Sequence, residues 1–157
     1  MKNMIREILD TPGFCEGEHW RWREVPAGEI VFREGEPGQT LCLVVEGAVR
    51  ISGGLALDDG RQIRPGVCDL GEGAVFGELV LFGDGMRTAT VSAIRDTRLI
   101  EIDGEALLAF FDAHPELGYR AMRRFMEIAV ERLRLTNRKL MSVLAWGLRV
   151  HDIEQHL

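Results

Sequence analysis

No histidine lies between His19 and His114, a span that takes in the whole strand-like part of the chain. A metal-dependent β-barrel enzyme needs histidine and carboxylate ligands on facing strands, so that class of catalyst is not expected. The four histidines, His19, His114, His151 and His156, fall at element ends or in the tail and read as surface or capping residues. There is no GxSxG elbow and no kinase signature, and the chain is not expected to be an enzyme. Cysteine is scarce: Cys15, Cys42 and Cys68 are widely spaced, odd in number and form no CxxC. That pattern excludes a disulfide framework and offers no zinc or iron–sulfur spacing. Buried free thiols in a reducing compartment, with no bound metal, are the expectation. No apolar run approaches the ~18 residues of a membrane span. Acidic residues interrupt MKNMIREILD where a signal peptide needs an apolar core. A cytoplasmic protein with no membrane partner is expected.

What is present is ordinary in bulk and uneven in detail. The 157 residues suffice for one domain plus an appended helix, and 46% hydrophobic with 28% charged residues suits a globular chain. A net charge of −6 argues against wholesale nucleic-acid binding. Between Leu117 and Arg149, however, eight basic residues face only Glu127 and Glu131, so a basic helix follows a strongly acidic body. A solvated helix face is the plain reading; contact with phosphates or an acidic partner is the alternative.

Met1, Met4, Ile5, Ile8 and Leu9 share one helical face, with Pro12-Gly13 as the stop. From Trp20 to Asp103 short apolar runs rich in Val, Ile and Thr are punctuated by glycine turns, and Leu99–Asp103 alternates. These features predict short antiparallel strands closing into a sandwich or barrel, with Gly53-Gly54 and Asp59-Gly60 as hairpin turns. After Asp103, a plausible N-cap, the period becomes helical up to His114-Pro115. A long helix then carries Met122, Phe125, Ala129, Leu133, Leu140, Val143 and Leu144 at three- and four-residue spacing. At ~1.5 Å per residue it extends 45 Å or more, and its overhang wants a partner, most simply the same helix of a second subunit.

Within FGELVLFGDGMRTATV, a carboxylate (Glu78) and a guanidinium (Arg87) sit in otherwise apolar sequence, where charges are costly to desolvate unless paired. Either they pair with each other or they await a polar ligand. Gly77 permits a positive φ or a close backbone approach, and ELVLF suits a single helical turn whose first N–H groups point outward as an anion site. Arg87, returned by the GDGM loop, adds a planar group suited to bidentate phosphate contact. Glu78 beside an anion fits a hydroxyl donor. One phosphate and one sugar hydroxyl on a single molecule satisfy both charges.

This pattern resembles the phosphate-binding cassette of the cyclic nucleotide-binding domain family, through Phe76-Gly77-Glu78-Leu79 and Arg87-Thr88-Ala89-Thr90-Val91. REGEPGQTLCLVVEGAVRI and LGEGAVFGE look like the family's strands and its approach to the cassette, and the resemblance covers roughly residues 20 to 145. It implies a mainly β, α+β fold: a small antiparallel, jelly-roll-like β-barrel with a short N-terminal helix and C-terminal helices. Residues 1–115 form the binding domain and 116–157 the lid and dimerisation helix. The resemblance gives Glu78 the ribose 2′-hydroxyl, and gives Arg87 the cyclic phosphate with help from Gly77, Leu79 and Thr88. The ligand it implies is cAMP, with cGMP the competitor because a Thr88 hydroxyl could reach a guanine amino group. Thr136 and Asn137 match base contacts made across the dimer in catabolite-activator relatives, or else form a polar notch fixing helix register. HDIEQHL is too short for a recognition module, so direct DNA binding is not expected and the output falls to an effector protein. Two other readings are a ligand-independent dimeric module with a vestigial pocket and a truncated transcription regulator.

Overall fold

The computed structural model describes residues 1–56, 62–63 and 66–150. They comprise helix α1 (Lys2–Leu9), strands β1 (Trp20–Val25), β2 (Ile30–Phe32), β3 (Thr40–Glu46), β4 (Ala48–Ser52), β5 (Leu55–Ala56), β6 (Gln62–Ile63), β7 (Gly66–Gly71), β8 (Val75–Phe76), β9 (Thr90–Ala93) and β10 (Thr97–Asp103), and helices α2 (Gly104–Ala113) and α3 (Pro115–Val150). A single 3₁₀ turn, Glu78–Leu81, follows β8. Two compact units result, Met1–Gly118 and Tyr119–Leu157.

The first unit is built on two four-stranded antiparallel sheets, ordered β1-β10-β3-β8 and β2-β9-β4-β7. Val25, Cys42, Val44, Phe76 and Leu99 of one sheet pack with Val31, Val49, Val91 and Ala93 of the other. The β-branched residues that marked the strands in sequence therefore become the inter-sheet core, as pleated surfaces favour. The expected roll-like β fold is present. On the far face of β3, Leu41 and Leu43 are also buried, beside Ile102 and Ile100 of β10. The α1 face anchors through Ile5 and Ile8, both wholly buried. Asp103 caps α2 by accepting from the Ala106 N–H at 2.8 Å, and α2 stops at His114 before Pro115.

Two local expectations need correction. Gly53-Gly54 is not a hairpin turn: β4 pairs with β7 and β9, while β5 pairs with β6, and the Gly54 N–H donates to Glu34 Oε2 at 2.7 Å. The Asp59-Gly60 turn lies outside the described residues. Of the three thiols expected to be buried, only Cys42 is; Cys15 is exposed and Cys68 half-buried. The alternation along β10 also hides a buried carboxylate. Glu101 points inward and accepts from Arg21 Nε at 2.8 Å and Arg23 Nη1 at 2.7 Å. Two guanidiniums neutralise it, which is what makes its burial tolerable.

A row of rings ties the loop before β1 to the end of α2. His19 stacks on Phe14 at 5.0 Å, Phe14 meets Phe110 edge-on at 5.1 Å, and His114 stacks on Phe110 at 4.2 Å.

In the second unit α3 is amphipathic. Tyr119, Met126, Leu133, Leu140 and Leu144 recur along it with more than half of each side chain exposed.

Candidate ligand site

Gly77 adopts φ 75°, ψ 5°, the left-handed conformation that glycine enters without Cβ strain, and turns the chain from β8 into the 3₁₀ turn. That turn buries Glu78 to 3% exposure while leaving Leu79 on the surface. The return segment is fixed by the loop between β2 and β3. Gly35 N–H donates to Arg87 O, Arg87 N–H to Glu36 O, and Gly38 N–H to Gly85 O, at 2.7–2.8 Å. This zipper delivers the Arg87 side chain inward.

The guanidinium is 7% exposed and held on three sides. Nη1 donates to Thr40 O at 2.7 Å, Nη2 donates to Thr40 Oγ1 at 3.0 Å, and Cζ lies 4.0 Å from the centroid of the Phe32 ring. Phe32 in turn tilts against Phe76. Burial pulls the Arg87 pKa below its ordinary value, with Cys42, Glu101 and Glu36 opposing that drift. A Cβ on Gly77 would fall 2.8 Å from Arg87 Nη1, and one on Gly38 only 2.1 Å from Nε. The two halves of the predicted cassette thus meet, with glycine on both sides of the guanidinium.

Behind Arg87 the interior is polar in a controlled way. Glu101 lies opposite Cys42 in the β10–β3 register. Burial, aided by the Glu101 charge, pushes the Cys42 thiol up to about 12, so it stays protonated. Burial alone would raise the Glu101 carboxyl, but the hydrogen bonds from Arg23 and Arg21 outweigh it and hold it below its usual range.

Of the residues singled out in the sequence, Gly77, Glu78, Leu79, Arg87 and Thr88 gather in the first unit, with Thr88 exposed. Thr136 and Asn137 belong to the second unit and are exposed on α3. Thr40, Phe32 and Gly38, which position Arg87, were not singled out. Thr40 is 47 residues distant from its partner, and only the glycine-bounded loop hinted that this segment matters.

A buried guanidinium packed against a left-handed glycine, itself followed in the chain by the buried carboxylate of Glu78, is chemistry that could take an anion and a hydroxyl. The family model for the cyclic nucleotide-binding domain matches residues 22–114. The chain belongs to this family. It is 33% identical over 121 residues to a CRP-like cAMP-activated global transcriptional regulator of Mycobacterium tuberculosis, covering 77% of this chain and 50% of that protein. The chain therefore spans about half the length of that curated relative. Among solved structures, a cyclic nucleotide-binding domain from Methylobacillus flagellatus superposes with a TM-score of 0.69 at 25% identity, covering 79% of this chain and 68% of that one. A structure from work on a cyclic-GMP-dependent signalling pathway in bacterial phytopathogenesis gives 0.59 at 33% identity, covering 71% and 85%. This cyclic nucleotide-binding domain shares its regulatory family with both transcriptional regulators and a putative potassium channel protein. Among its described residues no helix is long and apolar enough to cross a membrane.

Proposed function

We propose that this chain is a cytoplasmic, non-catalytic sensor that binds cAMP, with cGMP as the competing ligand, and signals through its C-terminal helices. The observation that carries the reading is the buried Arg87, presented between Gly38 and Gly77 and held by Thr40 and Phe32. In this role Arg87 pairs with the cyclic phosphate, aided by backbone groups of Gly77, Leu79 and Thr88, and Glu78 accepts from the ribose 2′-hydroxyl. cAMP leads because a 33%-identical relative is cAMP-activated; cGMP competes because of the exposed Thr88 hydroxyl and the likeness to a structure from a cyclic-GMP pathway.

The exposed apolar stripe of α3 supports a homodimer through that helix, with Thr136 and Asn137 contributing base contacts. Ligand shifts the helix arrangement only to the extent that it binds one arrangement better than the other, and an effector protein reads that difference. Calorimetric titration of cAMP and cGMP into nucleotide-free protein tests the reading. Saturable one-per-chain binding of either supports it; no heat from either, in protein that is folded, leaves the vestigial module.

A further inference from the structure

Cys15, Glu18 and His19 place a thiol, a carboxylate oxygen and an imidazole nitrogen within 4.8 Å of one another, in the loop between α1 and β1. We propose that these three residues form a binding site for one divalent ion of the zinc class. None of them belongs to the nucleotide site, so the proposal stands independently of the ligand reading.

The loop is built to hold the three donors together. His19 N–H donates to Cys15 O at 3.0 Å, and Gly17 N–H to Trp20 O at 2.7 Å, closing the segment on itself. The carbonyl of His19 accepts from Asp103 N–H at 2.9 Å, which pins the loop to β10. The imidazole is stacked on Phe14, itself buried. Its position is thus fixed by packing before any ion arrives. In a flexible surface segment the ion would have to order the donors itself; here that entropy is already spent in folding. The thiol is exposed and reachable, unlike Cys42, whose protonated state excludes it as a ligand.

The donor chemistry selects the ion. A thiolate and an imidazole suit zinc and its first-row neighbours, whereas magnesium and calcium want oxygen alone. Three protein ligands leave a fourth tetrahedral position for water. Binding releases the thiol proton, because the ligand is the thiolate. One existing contact must yield: His19 Nδ1 accepts from the Cys15 N–H at 3.0 Å. That bond is exposed, so water can take over the amide when the nitrogen lone pair turns to the ion.

Cobalt(II) is the probe, titrated into the reduced, untagged full chain. His151 and His156 are changed to Gln in every protein, so that the tail contributes nothing. The expected result is saturation at one equivalent with a thiolate-to-cobalt charge-transfer band, which zinc then bleaches by displacement. Cys15→Ser removes that band, while His19→Gln and Glu18→Gln each weaken binding by about tenfold or more. Cys68→Ser changes nothing. Circular dichroism and thermal midpoints without metal establish that each variant is folded. A band that survives in Cys15→Ser, or the absence of any stoichiometric band in the parent protein, overturns the site.

Discussion

Adding one methyl group at Gly38 is expected to disable the proposed ligand site without replacing any residue assigned to the ligand. Gly38 has no positive φ that would strain alanine, so the effect is purely one of space. Its new Cβ would lie 2.1 Å from Arg87 Nε, 2.5 Å from Cζ and 2.8 Å from Nη2, and the guanidinium must leave. Leaving forfeits two charge-assisted hydrogen bonds to Thr40, about 1.5–3 kcal/mol each. It also forfeits the stacking on Phe32, about 0.5–2 kcal/mol. A displaced guanidinium recovers water, so the net loss of stability is about 2–4 kcal/mol, read by urea unfolding of the ligand-free protein. Affinity for the cyclic nucleotide should fall by about 2–5 kcal/mol, close to the loss in Arg87→Ala, read by calorimetry. The decisive comparison is the double variant. With Arg87 already replaced by Ala, Gly38→Ala should cost no more than about 0.5 kcal/mol in either measurement, because the atoms it strikes are gone. Wild-type stability and affinity in Gly38→Ala, or an equal penalty in both backgrounds, refutes the placement of the guanidinium.

Glu78→Ala should weaken a cyclic ribonucleotide far more than its 2′-deoxy analogue; equal losses in parallel titrations would reject the hydroxyl contact. Glu101 has a depressed pKa in the folded state, so its contribution is fully present above the ordinary value of 4.5 and is lost as pH falls through the folded value. Glu101→Gln should accordingly flatten the acid limb of a stability–pH curve measured by urea unfolding. In thiol labelling of the native protein Cys15 should react quickly and Cys42 only on global unfolding. Leu133→Glu together with Leu140→Glu should halve the mass seen by sedimentation, since both side chains lie on the exposed stripe of α3; an unchanged mass removes that helix as the dimer contact.

The readable features of this molecule are the local ones. Gly77 and Glu78 sit side by side, and the helical turn after them follows from five consecutive residues, so a candidate anion turn was legible locally and its likeness to the family's cassette could be seen. The α1 stripe and the Asp103 cap are equally local. What holds Arg87 in place is not: Thr40 and Phe32 reach it only because the β2–β3 loop zips along Gly85–Arg87, a pairing between distant segments. Glu101 was hidden for a similar reason. Its polar character fits an outward position in an alternating strand, and only the register with β1 reveals the two arginines that draw it inside. Cys15 looked like a small hydrophobe by type, yet Gly17, with φ 86°, turns the loop and leaves the thiol in solvent.

The row His19, Phe14, Phe110, His114 makes the N-terminal segment a mechanical neighbour of the last turn of α2. Any swing of α2 must slide or open at least one of these joints. If the proposed signalling moves α2, the segment ahead of the first strand resists that movement, and its grip helps set how hard a bound guest would have to pull.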